Sequence, residues 1–141
     1  MNRILFSLIV MLLTFVSCKT NRTINRKKQG IWIESVNLEN ITYQSKGRFK
    51  NNEETGKWQY FENGKKLRKE IYKKNYTIKT LYHPNGKIAS KGRTKTNSDS
   101  KMLHWFYDGI WKFYNEKGQL IRIKIYQNSD LISDQEKPIK K

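Results

Sequence analysis

The sequence predicts an all-β protein, an elongated antiparallel meander of repeated β-hairpins following an N-terminal signal helix. Three observations carry that expectation: an internal repeat, turn residues at hairpin intervals, and an alternation of large rings with polar residues between the turns. Gly56 to Asn75 reads GKWQYFENGKKLRKEIYKKN, and Gly109 to Asn128 reads GIWKFYNEKGQLIRIKIYQN, with one extra residue before the turn glycine of the second copy. Gly56, Trp58, Gly64, Arg68, Ile71 and Tyr72 thus recur as Gly109, Trp111, Gly118, Arg122, Ile125 and Tyr126. An echo precedes each copy, SKGRFK from Ser45 to Lys50 and SKGRTK from Ser90 to Lys95, so the unit is longer than one hairpin. Repeats of this size stack one supersecondary element on its neighbours.

The turns justify the hairpins. Asn63 and Gly64 tolerate positive φ at both central positions of a type I′ turn. His83, Pro84, Asn85 and Gly86 spell a type I turn with glycine in the left-handed position, and Asn115 to Gly118 read the same way. Between turns, Trp58 and Tyr60 share one side of a strand and Lys57 and Gln59 the other. Ile121, Ile123 and Ile125 likewise oppose Arg122, Lys124 and Tyr126. Strands are expected over Ile31 to Val36, Ile41 to Phe49, Lys57 to Phe61, Lys66 to Tyr72, Thr77 to Tyr82, Lys87 to Thr94, Ile110 to Tyr114 and Gln119 to Tyr126. The insertion around 95–107 contains Met102 to Tyr107, too apolar for pure loop and expected as a lengthened strand or a flap on the sheet.

Composition agrees with a thin sheet, since only 36% of residues are hydrophobic and 13% are aromatic. A single layer without covering helices cannot enclose many small aliphatic groups, so its apolar face must be built from rings. Each buried ring removes about 150–250 Å² from water, a gross gain of about 4–6 kcal/mol. Trp58, Tyr60, Tyr72, Tyr82, Trp111, Phe113 and Tyr126 are the expected core.

Before the repeats lie two segments of different character. Met1 to Ser17 has one positive residue, Arg3, then an apolar run from Ile4 to Val16 that is too short to span a bilayer, and reads as a signal peptide. Phe15, Val16, Ser17 and Cys18 resemble a bacterial lipobox, with phenylalanine where leucine is usual. What that resemblance implies is a lipidated Cys18 as first mature residue, and a diacylglyceryl group there holds a membrane durably. Cys18 is the only cysteine, which excludes an intramolecular disulfide. From Lys19 to Gln29 five basic residues and no acid read as a solvated tether, attracted to an anionic bilayer by about 1 kcal/mol per charge. The domain plan is therefore signal peptide (1–17), lipidated cysteine and tether (18–29), hairpin repeats (30–128) and a polar, fraying tail (129–141).

The pattern glycine-x-tryptophan-x-aromatic-aromatic, a turn ending in glycine, then a strand ending in an aromatic, resembles the MORN-repeat-variant proteins, which include YwqK-like antitoxin components. The resemblance covers Gly30 to Asn128. It implies an elongated sheet of successive hairpins acting as a scaffold that contacts membranes or proteins.

Catalytic constellations are missing from the sequence. His83 and His104 stand apart, Glu53, Glu54, Glu62 and Asp108 are scattered, and no spacing matches a metal site, a triad or a phosphate loop. The reading is a non-enzyme without cofactor or metal. Lysine and arginine number 29 against 12 acids, net +17, or +16 once Arg3 is removed with the signal. In a cytosolic protein that excess beside aromatic strands points to nucleic acid. Export argues against it, leaving a protein partner, anionic phospholipid or lipopolysaccharide as expected partners. Candidate contact residues are Lys57, Trp58, Tyr60, Arg68, Trp111, Arg122 and Lys124. No aspartate follows Cys18 and no acidic cluster does, so the expected address is the periplasmic face of the outer membrane. An envelope immunity protein neutralising one toxin is the alternative.

Overall fold

The computed structural model describes residues 20–97 and 104–138. The expected signal peptide, Cys18, residues 98–103 of the insertion and the side chain of His104 lie outside the described residues. Ten strands form one open sheet in sequence order, each antiparallel to the next. They are β1 (Arg22–Ile24), β2 (Lys27–Leu38), β3 (Ile41–Lys50), β4 (Glu53–Glu62), β5 (Lys65–Tyr72), β6 (Thr77–Tyr82), β7 (Ile88–Asn97), β8 (His104–Tyr114), β9 (Leu120–Gln127) and β10 (Asp130–Glu136). The described residues contain no helix.

Asparagine writes the short turns. Asn25–Arg26, Asn51–Asn52, Asn63–Gly64 and Asn128–Ser129 hold both residues at positive φ, the geometry whose twist matches that of the flanking strands. Successive turns then bond to one another. Thr42 N–H donates to Asn63 Oδ1 at 2.9 Å while Asn63 N–H donates to Thr42 O at 2.8 Å. One repeat later His83 Nε2 donates to Tyr114 O at 2.9 Å and Asn85 Nδ2 to Glu116 O at 2.8 Å. His83 is thus a clamp between neighbouring hairpins.

Two segments depart from expectation. Residues 20–29, expected as an unpacked tether, instead supply β1 and the start of β2, with Arg22, Thr23 and Ile24 opposite Gln29, Lys28 and Lys27. Asn21 fixes this hairpin by exchanging two hydrogen bonds with the backbone of Ile33, at 2.9 and 2.8 Å. A polar side chain here substitutes for apolar packing. The tail, expected to fray after Tyr126, continues as β10. Its alternation is hidden by a bulge between Leu131 and Ser133, and charge pairing with β9 holds it. Residues from 104 onward form the lengthened strand of the two alternatives, as the first part of β8.

The core is one ring deep. Among the described residues the buried apolar side chains are Phe49, Trp58 and Trp111; Tyr60, Tyr72, Tyr82, Phe113 and Tyr126 of the expected core are half-buried. Each tryptophan lies flat on a glycine of the preceding strand. A Cβ on Gly47 would stand 2.0 Å from Cδ2 of Trp58, and one on Gly92 would stand 2.1 Å from Cδ2 of Trp111. The indole N–H then reaches the next carbonyl, Arg48 O at 3.3 Å and Arg93 O at 3.0 Å. This explains the SKGR echo: its glycine is the seat of the following tryptophan.

Candidate functional site

The sheet has two faces of different chemistry. On the aromatic face, the row from Trp58 continues across strands through Glu70, Lys79 and Gly92, and the row from Trp111 continues through Lys124 to Asp134. Cations here meet acids. Glu70, 4% exposed, receives the Tyr72 hydroxyl at 2.8 Å and stands 3.3 Å from Arg68 Nε and 3.5 Å from Lys79 Nζ. Asp134 accepts both nitrogens of the Arg122 fork at 2.6 Å, with Lys124 at 3.6 Å.

These pairs set the titration of the face. Burial raises the Tyr60 phenol, with Glu70 adding to the effect and the Tyr72 hydrogen bond opposing it, so that it is pushed up to about 12. Tyr72 is held well above the ordinary phenol range by burial first, then by its hydrogen-bonded neighbours. The Arg122 fork lowers the carboxyl of Asp134 and is itself raised by it.

Where the two repeats meet, a groove of about 430 Å³ opens on this face, lined by Trp105, Tyr107, Trp111, Phe113 and Tyr126 with Arg68, Lys79 and Lys124 at its rim. Lys79 Nζ sits 4.3 Å above the Trp105 ring, itself 56% exposed, and Lys124 Nζ lies 5.8 Å from Phe113. Rings flanked by cations suit a partner that brings acids and apolar groups together.

Of the residues singled out in the sequence, Trp58, Tyr60 and Arg68 meet in the first repeat, where Arg68 Cζ lies 4.0 Å over the Tyr60 ring. Trp111, Arg122 and Lys124 meet in the second. Lys57 stands apart, in a hollow of the opposite face beside Lys46 and Arg48. The groove also recruits Lys79, Trp105 and Tyr107, which the repeat comparison passed over because they lie outside the two copies. For Trp105 and Tyr107 the signal was the apolar run at 102–107. Among the described residues no His, Cys, Asp and Glu cluster could hold a metal ion.

A one-layer stack of hairpins, pinned by tryptophan seated on glycine, defines a β-hairpin repeat module. Residues 78–95 and 107–128, which fall on the β6–β7 and β8–β9 hairpins, match the family model described as MORN repeat variant. The Gly56–Asn75 hairpin, outside the matched stretches, has the same tryptophan seat. No curated protein and no solved structure matches the chain.

Proposed function

We propose that this chain is a non-enzymatic, lipid-anchored docking module of the cell envelope that takes a protein partner on its aromatic face. The observation that carries the reading is the groove at the repeat junction. It is broad and open, its rings stay partly exposed, and its rim supplies Arg68, Lys79 and Lys124. Catalysis needs polar groups converging on one reacting atom, whereas this surface presents area and charge, the composition of an interface. The lipobox-like residues ending at Cys18 support anchoring. With β1 starting at Arg22, four residues of chain span at most about 14 Å, so a lipid on Cys18 would hold the sheet close to the membrane.

Two measurements test the two parts. Cys18→Ala is expected to abolish incorporation of labelled fatty acid and release the chain from membranes; retention of the label overturns the anchor. A photo-crosslinking residue at position 105 in the anchored chain is expected to give one discrete protein adduct, lost when Arg68→Glu and Lys79→Glu are combined. A chain that gives no adduct, or one unchanged by those reversals, overturns docking in the groove.

A further inference from the structure

The face opposite the tryptophans carries a charge pattern that the docking groove does not use. One row runs across the sheet through register partners Ile33, Lys46, Gln59, Lys69, Thr80, Lys91, Lys112 and Ile123. The row holds four lysines and no acid. Lys91 and Lys112 are direct cross-strand partners, an arrangement of like charges that destabilises a sheet. Arg68 and Lys79 share Glu70 and Arg122 and Lys124 share Asp134 on the aromatic face, and Arg93 and Lys95 share Asp108 on this one; among the described residues none of Lys46, Lys69, Lys91 or Lys112 has an ion-pair partner within 4.0 Å.

The same face has a repeated relief. Beside Lys46 lies an open hollow of about 260 Å³ formed around Gly47 and Gly56, and beside Lys91 lies its counterpart of about 510 Å³ around Gly92 and Gly109. The hollows occupy equivalent places in the two repeats, β3–β4 and β7–β8, and lie about 19 Å apart at ordinary strand spacing. Between them stands Lys69. Lys46, Lys69 and Lys91 recur every second strand, about 9.5 Å apart.

We propose that this row is a track for a flexible linear polyanion with bulky units, specifically an acidic polysaccharide. Its carboxylates would neutralise the lysines and its rings would settle into the hollows. Charge complementarity selects the polyanion, and the twist of the sheet selects a flexible one. Adjacent strands rotate by about 20–25°, so from β3 to β8 the row turns by about 100° or more. A planar bilayer meets only part of such a row, while a polymer follows it. The inference is independent of the lipid anchor and of the groove on the other face.

The test uses the full chain carrying Cys18→Ala, so that no lipid contributes. It is titrated with polygalacturonate, with neutral dextran and with phosphatidylglycerol vesicles. Polygalacturonate is expected to bind with strong salt dependence and dextran not to bind. Affinity should fall by about tenfold or more when Lys69→Glu is combined with Lys91→Glu, by charge reversal at two contacts. The milder pair Lys69→Gln and Lys91→Gln should give a smaller loss with an unchanged tryptophan spectrum, which separates binding from folding. Lys74→Glu with Lys117→Glu, two exposed turn positions outside the row, makes the same change in net charge and should alter affinity by less than about twofold, as rim and remote charges do. Absence of polygalacturonate binding, an equal loss in the Lys74 and Lys117 variant, or binding to the vesicles in its place overturns the proposal.

Discussion

Around Trp58 the covering ring is Phe49, delivered edge-on by β3 at a centroid distance of 4.9 Å. Around Trp111 the matching position on β7 is Thr94, too small to cover it, and Tyr107 of β8 arrives edge-on instead at 4.8 Å. Thr94 and Tyr107 are register partners, so the ring has moved one strand along while its place over the indole is kept. Glu54 of β4 stands where Tyr107 stands on β8 and is the register partner of Phe49, so the exchange is a change of side chain at equivalent places. A repeat built this way requires a ring edge against the tryptophan face, the arrangement aromatic pairs prefer, and is indifferent to the strand that supplies it.

The charges differ between repeats in a similar manner. Glu70 on β5 is flanked by Lys79 of β6, and at the equivalent place on β9 Lys124 is flanked by Asp134 of β10. The polarity of the cross-strand pair is reversed, and both orders hold the strands together. The swap leaves the junction groove between the buried Glu70, paired with Arg68 and Lys79, on one side and Lys124, paired with Asp134, on the other.

The largest effects should come from the seats that the two halves share. Gly47→Ala and Gly92→Ala each force a Cβ into an indole, so each should cost about 3–5 kcal/mol, comparable to losing the tryptophan. Urea unfolding followed by tryptophan fluorescence checks this, and a loss below about 1 kcal/mol in either would show the seat to be dispensable. The exchange of covering rings is sharpened next. Phe49→Ala should cost about 3–5 kcal/mol, and Tyr107→Ala about 1–3 because that ring is partly exposed. Thr94→Phe alone should overpack by about 1–3 kcal/mol, yet combined with Tyr107→Ala it should recover stability, since the second half would then be built like the first. A double variant no better than the worse single one would refute that equivalence.

The buried acid comes third. Glu70→Gln leaves Arg68 and Lys79 facing a neutral group and should cost about 1–3 kcal/mol, while Lys124→Gln should be nearly silent because Arg122 still holds Asp134. Thermal melting of the two variants compares them. Alkaline pH should then act on the first half. The raised phenols of Tyr60 and Tyr72 stabilise the fold while protonated, so that contribution is complete below their ordinary value of 10 and is lost as pH rises above it, the Tyr60 part through about 12. Phe113 stands where Tyr60 stands, so replacing Tyr60→Phe should flatten the alkaline limb, read by phenolate absorbance alongside circular dichroism. The smallest effect belongs to the edge. Asp134 has a lowered carboxyl, so its contribution is present above its ordinary value of 3.8 and is lost as pH falls below it. Hydrogen exchange should show β10 opening there while β4 and β5 stay protected.

Much of this fold is written locally. Asn63–Gly64 can adopt few other conformations than a hairpin turn, and the alternation of Trp58 and Tyr60 with Lys57 and Gln59 leaves one assignment of faces. Local rules failed where partners came from far along the chain. Asn21 secures the first hairpin by bonding to Ile33, and the bulge at Ile132 breaks the alternation of β10, so neither strand carries a period-two signal of its own. Phe49 went unread as core because its value depends on Trp58 arriving from the next strand. Of the candidate site, Trp111, Arg122 and Lys124 were legible through the repeat; Lys79, Trp105 and Tyr107 belong to no duplicate and become neighbours only when β6, β8 and β9 are laid together.

The sequence by itself determined the class of this protein: hairpin length, turn type, repeat unit and the rings that line one side. Those are properties of residues close in the chain, settled by backbone sterics and period. Tertiary structure alone decided which ring covers which tryptophan and which cations find a carboxylate. Both faces carry lysine and arginine at similar density along the chain. Only the register between strands places Glu70 beside Lys79 on one face and Lys91 beside Lys112 on the other, because ion pairing depends on distances of a few ångströms that sequence spacing does not encode.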